Sequence, residues 1–360
     1  MLRAVKGLLS TDEKPFRINH VITVDFGGFR KAVDYIGCVY ADIDRRYYND
    51  RGGPGGYATI DIQPGYQKVC GKDALDYVRY RHTDNDIVRA ARQQEFLRQA
   101  RNQAGARELM SFDPSNLRKL ARVFARYFDS DKGLHRKKEL FSFAKTVIFT
   151  AQNPVREVRF RSSQAPDDVN LVASERQLKR SVAEFLEAKA SEDPRESTAR
   201  RSSRRKTRRK SSRIPGLVEA RGAGENLAII GARKISFPFY FPRLLTSSGV
   251  YAANMPRIYT MKDERRRKRK AYRLVVSNQR FGEYYGIQGM RWRYPPILDD
   301  PHQTVRRRGR ELMVYRDGRS VRLVAWRTKR GVYWVSNTLT QSLSAQKMLG
   351  IAGSLQRFGR

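Results

Sequence analysis

Four arginine residues lie close together in the twenty-residue stretch that reads YVRYRHTDNDIVRAARQQEF, residues 77–96. Guanidinium groups are always charged and bind phosphate oxygens two at a time, so this arginine cluster predicts a site for an anionic ligand such as a diphosphate. The alternative interpretation is an amphipathic helix whose arginines are only solvated. A carboxylate within the stretch could orient one arginine or contact a metal. The candidate residues are Arg79, Arg81, Asp86, Arg89, Arg92 and Gln93.

Helical geometry brings the second half of these residues together. Thr83 and Asp86 have the spacing of a capping box, and Asp84 is an alternative N-cap, so a helix is predicted to begin near Asn85 or Asp86. A turn of about 100° per residue then places Asp86, Arg89 and Gln93 on one side of the helix, with Arg92 beside them. The adjoining apolar face, which is expected to pack inward, consists of Ile87, Ala90, Ala91 and Leu97.

The segment before this helix has two interpretations. Arg79 and Arg81 are two positions apart, so on an extended segment both side chains would leave the same face. A helix predicted over residues 73–78 would instead continue into this segment.

Three ordered blocks of the sequence resemble the LytR-CpsA-Psr family. They are INHVITVDFGGF at residues 18–29, GYQKVCGKDAL at residues 65–75 and the stretch at residues 77–96. In that family the pattern R-x-R followed by D-x-x-R-x-x-R-Q-Q lines a pocket for the pyrophosphate of a polyprenyl-linked glycopolymer. The resemblance therefore implies that the diphosphate is bound by Arg79, Arg81, Arg89, Arg92 and Gln93, and that Asp86 and Arg89 are catalytic.

The same resemblance implies a fold and an activity. The expected fold is a layered α-β-α sandwich, and the expected activity is that of a phosphotransferase. It would move a phosphoglycosyl polymer from a polyprenyl diphosphate carrier to peptidoglycan, with Mg²⁺ assisting, at the extracytoplasmic face of the cell membrane. Family members usually carry R-S-D-like and I-P-R-D-like segments that supply acidic magnesium ligands, and we expect these in a missing N-terminal part. The chain as given would then bind carrier lipid or anionic wall polymer without turnover, which is the non-enzymatic alternative.

Composition sets the class of partner. The chain has 360 residues, a formal net charge of +37 and a pI near 10.7, which indicates polyanionic surroundings. Nucleic acid, anionic lipid headgroups and anionic wall polymers all fit such a charge. The sequence contains no recognisable nucleic-acid-binding motif, so we do not expect nucleic acid as a partner. It also lacks an apolar run of about 18 residues and a signal peptide, so we expect no membrane anchor in this chain.

Changes in composition divide the chain into three parts. Residues 1–190 would form a partial LytR-CpsA-Psr domain, and residues 191–215 a basic linker that could bind an anionic membrane surface or wall polymer, or simply be solvated. Residues 216–360 are predicted to form a smaller α+β domain with an antiparallel sheet, and Asp317–Gly318 is a strong hairpin signal. This domain resembles C-terminal companions of actinobacterial members of the family.

Two further features have open interpretations. Cys38 and Cys70 could form a disulfide or remain buried thiols. The tyrosines and tryptophans of the second domain, which alternate with arginines such as Arg293 and Arg327, could form a stacking surface for sugars or bases, or could pack the sheet. The run of six cations at residues 265–270 is predicted to be a solvated hairpin loop.

Overall fold

The computed structural model describes residues 2–10, 15–52, 58–81, 84–111, 113–151, 163–164, 171–186, 214–278 and 282–359. Within these ranges the chain is mixed α/β, as predicted. The helices are α1 Leu2–Leu9, α2 Phe26–Tyr35, α3 Gly71–Arg79, α4 Asp86–Arg101, α5 Ala104–Leu109, α6 Pro114–Tyr127, α7 Lys137–Ala151, α8 Glu175–Leu186, α9 Arg221–Ala232 and α10 Ala345–Ser354.

The strands are mostly short in the first half of the chain and longer in the second half. They are β1 Ile22–Thr23, β2 Val39–Ile43, β3 Tyr47–Asn49, β4 Ile60–Ile62, β5 Gly65–Val69, β6 Asp129–Ser130, β7 Ser163–Gln164, β8 Leu171–Val172, β9 Leu217–Glu219, β10 Tyr240–Pro242, β11 Leu244–Thr246, β12 Val250–Tyr251, β13 Arg257–Lys262, β14 Lys268–Ser277, β15 Tyr284–Met290, β16 Gln303–Arg307, β17 Arg310–Asp317, β18 Ser320–Arg327, β19 Val332–Ser336 and β20 Leu355–Arg357.

The chain separates into two compact units that do not follow its sequence order. The first unit contains residues 1–25 and 110–200, and the second contains residues 26–109 and 201–360. The predicted linker lies largely outside the described residues, so its boundaries stay a prediction.

The first unit is built from α1, α6, α7 and α8 with the short antiparallel pair β1–β6. The ring of Phe124 on α6 stacks 5.1 Å from that of Phe128, the C-cap of this helix, and Phe143 of α7 lies 5.0 Å from Phe124. The N-cap of α6 is Asp113, whose side chain accepts from the backbone N–H of Ser115. Pro114 occupies the first helical position, where its missing N–H leaves no hydrogen bond unmade.

The antiparallel ribbon β2–β5 is central to residues 26–109 of the second unit. One of its faces packs on α2, α3 and α4 around Val39, Ala41 and Phe96. On the outer edge of β2, the backbone N–H groups of Tyr40 and Asp42 donate to the side-chain oxygens of Gln103 and Gln99 at 3.1 and 2.8 Å. Side-chain amides therefore satisfy donors that a neighbouring strand would otherwise take.

A disulfide between Cys38 and Cys70 fastens this ribbon beside the start of α3. It resolves the alternative that the sequence had left open. Nearby, the carboxylate of Asp34 accepts from the backbone N–H of Gly71 at 2.8 Å.

An eight-stranded antiparallel sheet forms the main body of residues 214–359, which confirms the predicted antiparallel sheet. Its order is β12-β14-β15-β19-β18-β17-β16, and β13 pairs with β14 on the same side as β12. The Asp317–Gly318 hairpin is present as predicted, joining β17 to β18.

Both faces of the sheet are covered by apolar packing. Leu227 of α9 and Ile351 of α10 belong to the cluster on one face, together with Trp326 and Tyr333. The opposite face packs around Trp334 and receives Tyr40 and Tyr66 from the β2–β5 ribbon. Trp326, Tyr333 and Trp334 are buried, so these aromatic rings pack the sheet and do not form a stacking surface for bases or sugars.

No helix among the described residues is long and apolar enough to cross a lipid bilayer.

Candidate anion-binding site

The arginine cluster lies where α3 ends and α4 begins. Arg79 is the last residue of α3, so the predicted helix continues to Arg79, whereas Tyr80 has extended backbone angles, with φ −54° and ψ 133°, and Arg81 lies outside the helix. Asn85 is the N-cap of α4, and its side-chain oxygen accepts from the backbone N–H of Val88 at 2.9 Å. The helix therefore starts at Asp86, as predicted, but Asp84 is not its cap; Thr83 lies outside the described residues.

Two arginines converge on Asp86 at the protein surface. The Asp86 carboxylate lies 3.1 Å from Nη2 of Arg89 and 4.0 Å from Nε of Arg81. The side chains are 69% exposed for Arg81, 58% for Asp86 and 30% for Arg89. This exposed trio carries a net positive charge at the first turn of α4, where unpaired backbone N–H groups and the helix dipole also favour an anion.

Arg79 and Gln93 contact residues outside the exposed trio. The Arg79 guanidinium lies 4.4 Å from the ring centre of Phe26, within the range of a cation–π contact. The Gln93 side-chain amide donates to the carbonyl oxygen of Val78 at 3.1 Å. Gln93 thereby joins α4 to the last turn of α3.

Arg92 points away from the surface and is completely buried. Its guanidinium donates to the Asp84 carboxylate and to the carbonyl oxygen of Tyr80. Asp84 is buried as well and also accepts from Nη2 of Arg45 at 2.6 Å. These contacts fix the turn between α3 and α4, so Arg92 positions the neighbouring arginines in this conformation.

A second acidic residue completes the buried side of the site. Asp44 follows β2 and accepts a hydrogen bond from the Tyr47 hydroxyl at 2.7 Å. Its other carboxylate oxygen is buried without a hydrogen-bond partner among the described residues. Burial raises the pKa of Asp44, although Arg45 lowers it in part. The ring of Tyr47 lies 4.5 Å from the Arg45 guanidinium and 4.8 Å from that of Arg92.

The inward face of α4 differs from the predicted one. Ala91 is buried as expected, but Ile87 and Leu97 are 46% and 62% exposed. Val88 and Phe96 take their places in the core. The prediction was wrong because Arg92 is itself buried, which rotates the buried face relative to the one inferred from apolar residues alone.

Sequence reasoning missed Arg45 and Asp44 as members of this site. They are adjacent to each other but lie about forty positions before α4, so no local spacing connects them with it. The signal that could have identified them is a pair of opposite charges directly after a strand of entirely buried residues, β2.

The described residues offer a poor fit for a magnesium ion beside the arginines. Asp84 and Asp86 are both engaged by arginines, and Asp44 is buried with a raised pKa. Within the described ranges, one group of three potential ligands lies close together, Asp34 with Cys38 and Cys70, and its two cysteines are joined in the disulfide. We therefore derive no step through a metal.

Comparison with known proteins gives one family match. Residues 12–183 match the model of the LytR_cpsA_psr family. An uncharacterized protein of Staphylococcus aureus is 32% identical over 81 residues, which are 22% of this chain and 20% of that protein. The chain thus spans about a fifth of the length of this curated relative.

Several solved structures are similar to part of the chain. A transcriptional regulator from Enterococcus faecalis has 20% identity and a TM-score of 0.37, covering 51% of this chain and 62% of its own. B. subtilis TagV has 17% identity and a TM-score of 0.36, with coverages of 51% and 66%. The LytR-Csp2A-Psr enzyme from Actinomyces oris has 17% identity and a TM-score of 0.35, with coverages of 48% and 64%. The chain therefore spans slightly less than two thirds of each of these structures.

Proposed function

Because residues 12–183 match the model of the LytR_cpsA_psr family, we propose that the arginine cluster of this chain holds the diphosphate of a polyprenyl-linked glycopolymer. The family match supports a function related to cell-wall glycopolymers and partners of the same class. The finer proposal is that the whole protein moves a phosphoglycosyl polymer from the carrier to a peptidoglycan hydroxyl.

The observation that supports this proposal is the exposed trio. Arg81 and Arg89 both lie within 4.0 Å of the same Asp86 carboxylate oxygen, and all three side chains are accessible. An incoming diphosphate can replace the Asp86 carboxylate as the partner of both guanidinium groups, because phosphate oxygens accept paired N–H donors in the same geometry. Arg79, at the end of α3, would add a third cation. Arg92 stays buried in the proposal and acts through the position of the turn.

The transfer needs charge stabilisation more than covalent chemistry from the protein. A bond forms between the acceptor hydroxyl oxygen and the polymer-linked phosphorus, and the bond from that phosphorus to the polyprenyl phosphate breaks. Arg89 would stabilise the negative charge that develops on the leaving phosphate. Asp86, once released from Arg89, is the exposed carboxylate that could accept the hydroxyl proton.

A second candidate is binding of the carrier lipid or an anionic wall polymer without turnover. It is favoured by the state of Asp84 and Asp86, because both carboxylates are engaged by arginines. Purified protein mixed with lipid-diphosphate substrate and Mg²⁺ separates the two functions. Multiple-turnover transfer would reject the binding-only function, and stoichiometric binding without product would support it.

The site assignment is tested by Arg89→Ala. We expect this change to weaken binding of a polyprenyl diphosphate probe about tenfold or more, because a charge-assisted hydrogen bond contributes roughly 1.5–3 kcal/mol. Arg233→Ala, which removes an exposed cation at the C-cap of α9, is the matched control and should bind normally. Unchanged binding by the Arg89 variant would reject the assignment.

A further inference from the structure

Three tight turns lie at the same end of the eight-stranded sheet. The register pairs Lys262 with Lys268 across β13–β14 and Arg307 with Arg310 across β16–β17. In the middle of the sheet Arg327 pairs with Val332 across β18–β19. Because the strands alternate in direction along the order β13-β14-β15-β19-β18-β17-β16, all three turns emerge at one end.

This end of the sheet is strongly cationic, and we call it the basic edge. Its exposed cations are Lys262, Arg265, Arg266, Arg267, Lys268, Lys270, Arg291, Arg306, Arg307, Arg308, Lys329 and Arg330, and its exposed carboxylates are Glu264 and Glu311. The run of six cations noted in the sequence thus contributes to a surface formed by three turns. The structure divides this run between the turn and a strand, because β14 begins at Lys268.

Two of these turns place arginine in a left-handed backbone conformation. Arg266 has a φ of 59°, and Arg308 has a φ of 47° followed by Gly309 at 75°. Glycine or asparagine usually occupies such positions, because a side chain there meets the following carbonyl oxygen. Arginine at both positions costs backbone energy that a glycine would avoid. Such a cost is typical of residues kept for a function of the side chain.

The first turn also contains a built support for its cations. Asp263 is buried, and its carboxylate accepts from the backbone N–H groups of Arg265 and Arg267 at 3.0 and 2.9 Å. The same carboxylate accepts from Nε of Arg267 and Arg269 at 2.9 and 2.8 Å. Asp263 therefore holds the turn, while no ion pair engages Arg265 or Arg266 among the described residues.

The shape of the basic edge favours a linear ligand. Seven strands at about 4.8 Å spacing give the edge a length of roughly 29 Å. Adjacent strands rotate by about 20–25°, so the strand ends follow a helical path and do not lie in a plane. A flexible chain can follow such a path, whereas a flat bilayer would contact only part of it.

The chemistry of the edge favours phosphates without bases. Proteins that bind single-stranded nucleic acid use exposed aromatic rings on which successive bases stack. Within residues 214–278 and 282–359, Tyr294 is the single exposed aromatic residue, and Arg293 and Arg327 lie near its ring at 5.3 and 4.9 Å. A row of cations with one exposed ring matches a polymer recognised by its charge.

We propose that the basic edge binds a linear polymer with repeating phosphates and no nucleobases, at a surface separate from the arginine cluster of α3 and α4. Several units of one polymer chain would contact the three turns in succession. Binding would depend on the sum of the cations and would weaken steeply with salt, as expected for release of counterions.

The experiment compares turns at the two ends of the same sheet. Arg308→Gly and Arg266→Gly, singly and together, remove cations from the basic edge at positions where glycine suits the backbone. The matched control is Arg319→Gly, which removes an exposed arginine beside Gly318 in the turn at the opposite end of the sheet. The full chain is titrated with poly(glycerol phosphate), neutral dextran, a single-stranded and a duplex DNA of equal charge, and anionic vesicles, at several salt concentrations.

The expected result is specific to the edge and to the polymer. Each edge variant should bind poly(glycerol phosphate) about fivefold more weakly, and the double variant about 25-fold more weakly, because each cation near a polyanion contributes about 1 kcal/mol. Their melting temperatures should stay equal or rise, because glycine relieves the left-handed positions. The control should bind like the unchanged chain, and dextran should not bind.

Three results would overturn the proposal. They are equal losses in Arg319→Gly and Arg308→Gly, tighter binding of either DNA than of poly(glycerol phosphate), and binding of vesicles alone. An Arg89→Ala variant keeps the test independent of the proposed function, since it should still bind this polymer at the basic edge.

Discussion

Asp42 and Arg273 form a buried ion pair that joins the β2–β5 ribbon to the eight-stranded sheet. Nη1 of Arg273 donates to one Asp42 carboxylate oxygen at 2.9 Å, and the Trp334 indole donates to the other at 3.2 Å. Asp42 and Arg273 are 7% and 1% exposed. Residues from two distant parts of the sequence therefore share one interior, so we expect residues 26–109 and 214–359 to unfold together.

Removing one partner of this pair should be costly. Asp42→Ala leaves the Arg273 guanidinium buried with Ser336 as its remaining hydrogen-bond partner. We expect a loss of about 3–5 kcal/mol in the free energy of unfolding, measured by urea denaturation. Asp61→Ala is the control, because its ion pair with Arg46 is about half exposed and should contribute within about 1 kcal/mol. Similar losses in both variants would contradict the joining role of Asp42.

Arg89 and Arg92 should respond differently to the same substitution. Arg89 is partly exposed and paired with Asp86, so Arg89→Ala should leave the melting temperature within about 2 °C. Arg92→Ala removes a buried partner of Asp84 and Tyr80 and should cost about 2–4 kcal/mol, since Arg45 still pairs with Asp84. Thermal unfolding combined with binding of a polyprenyl diphosphate probe measures both effects. A stable Arg92 variant that loses binding would show that Arg92 contacts the ligand directly.

Acid should weaken the support of the basic edge. Burial alone would raise the pKa of Asp263, but the backbone N–H of Arg267 and the guanidinium groups of Arg269 and Arg267 more than offset it, so the pKa is lowered. The contribution of Asp263 to stability is then full above the ordinary pKa of an aspartate and is lost as the pH falls through the lowered value.

Asp263→Asn tests this pH dependence. The free energy of unfolding of the unchanged chain should exceed that of the variant near neutral pH, and the two curves should converge as the pH falls toward 2 or below. Parallel curves over the whole pH range would show that the carboxylate charge does not support the turn.

Reduction of the Cys38–Cys70 disulfide should loosen the second unit. The bridge spans 32 positions, and closing such a loop restricts the unfolded chain by about 3–4 kcal/mol in the chain-entropy description. The double variant Cys38→Ala with Cys70→Ala should therefore unfold at lower urea concentration than the oxidised chain. The reduced unchanged chain should behave like the variant, and a stability equal to that of the oxidised chain would contradict this role.

Local patterns in the sequence predicted many of the elements. The start of α4 at Asp86 follows from its polar capping residues, and the β17–β18 hairpin follows from Asp317–Gly318, because both depend on neighbouring residues. The burial of Arg92 could not be predicted in this way. It depends on Asp84 and on Arg45, which tertiary packing brings from a different element.

The register of the sheet was beyond sequence reasoning for a similar reason. The six cations of residues 265–270 are visible in the sequence, but their alignment with the turns at Arg308 and Lys329 requires the order of seven strands. The packing of Tyr40 and Tyr66 against the sheet also depends on contacts between residues about 200 positions apart. The hydrophobic periodicity of a sequence reflects only neighbouring positions, so it cannot predict contacts over such a distance along the chain.

The glutamine contacts along β2 have a consequence for the behaviour of the protein in solution. A strand edge with free N–H groups can pair with a strand of another molecule and begin aggregation. Here Gln99 and Gln103 occupy the donors of Tyr40 and Asp42, and Gln288 accepts from Tyr66 on β5 at 3.3 Å. The ribbon thus presents few open donors on either side. This protects a short, apolar pair of strands from self-association at high protein concentration.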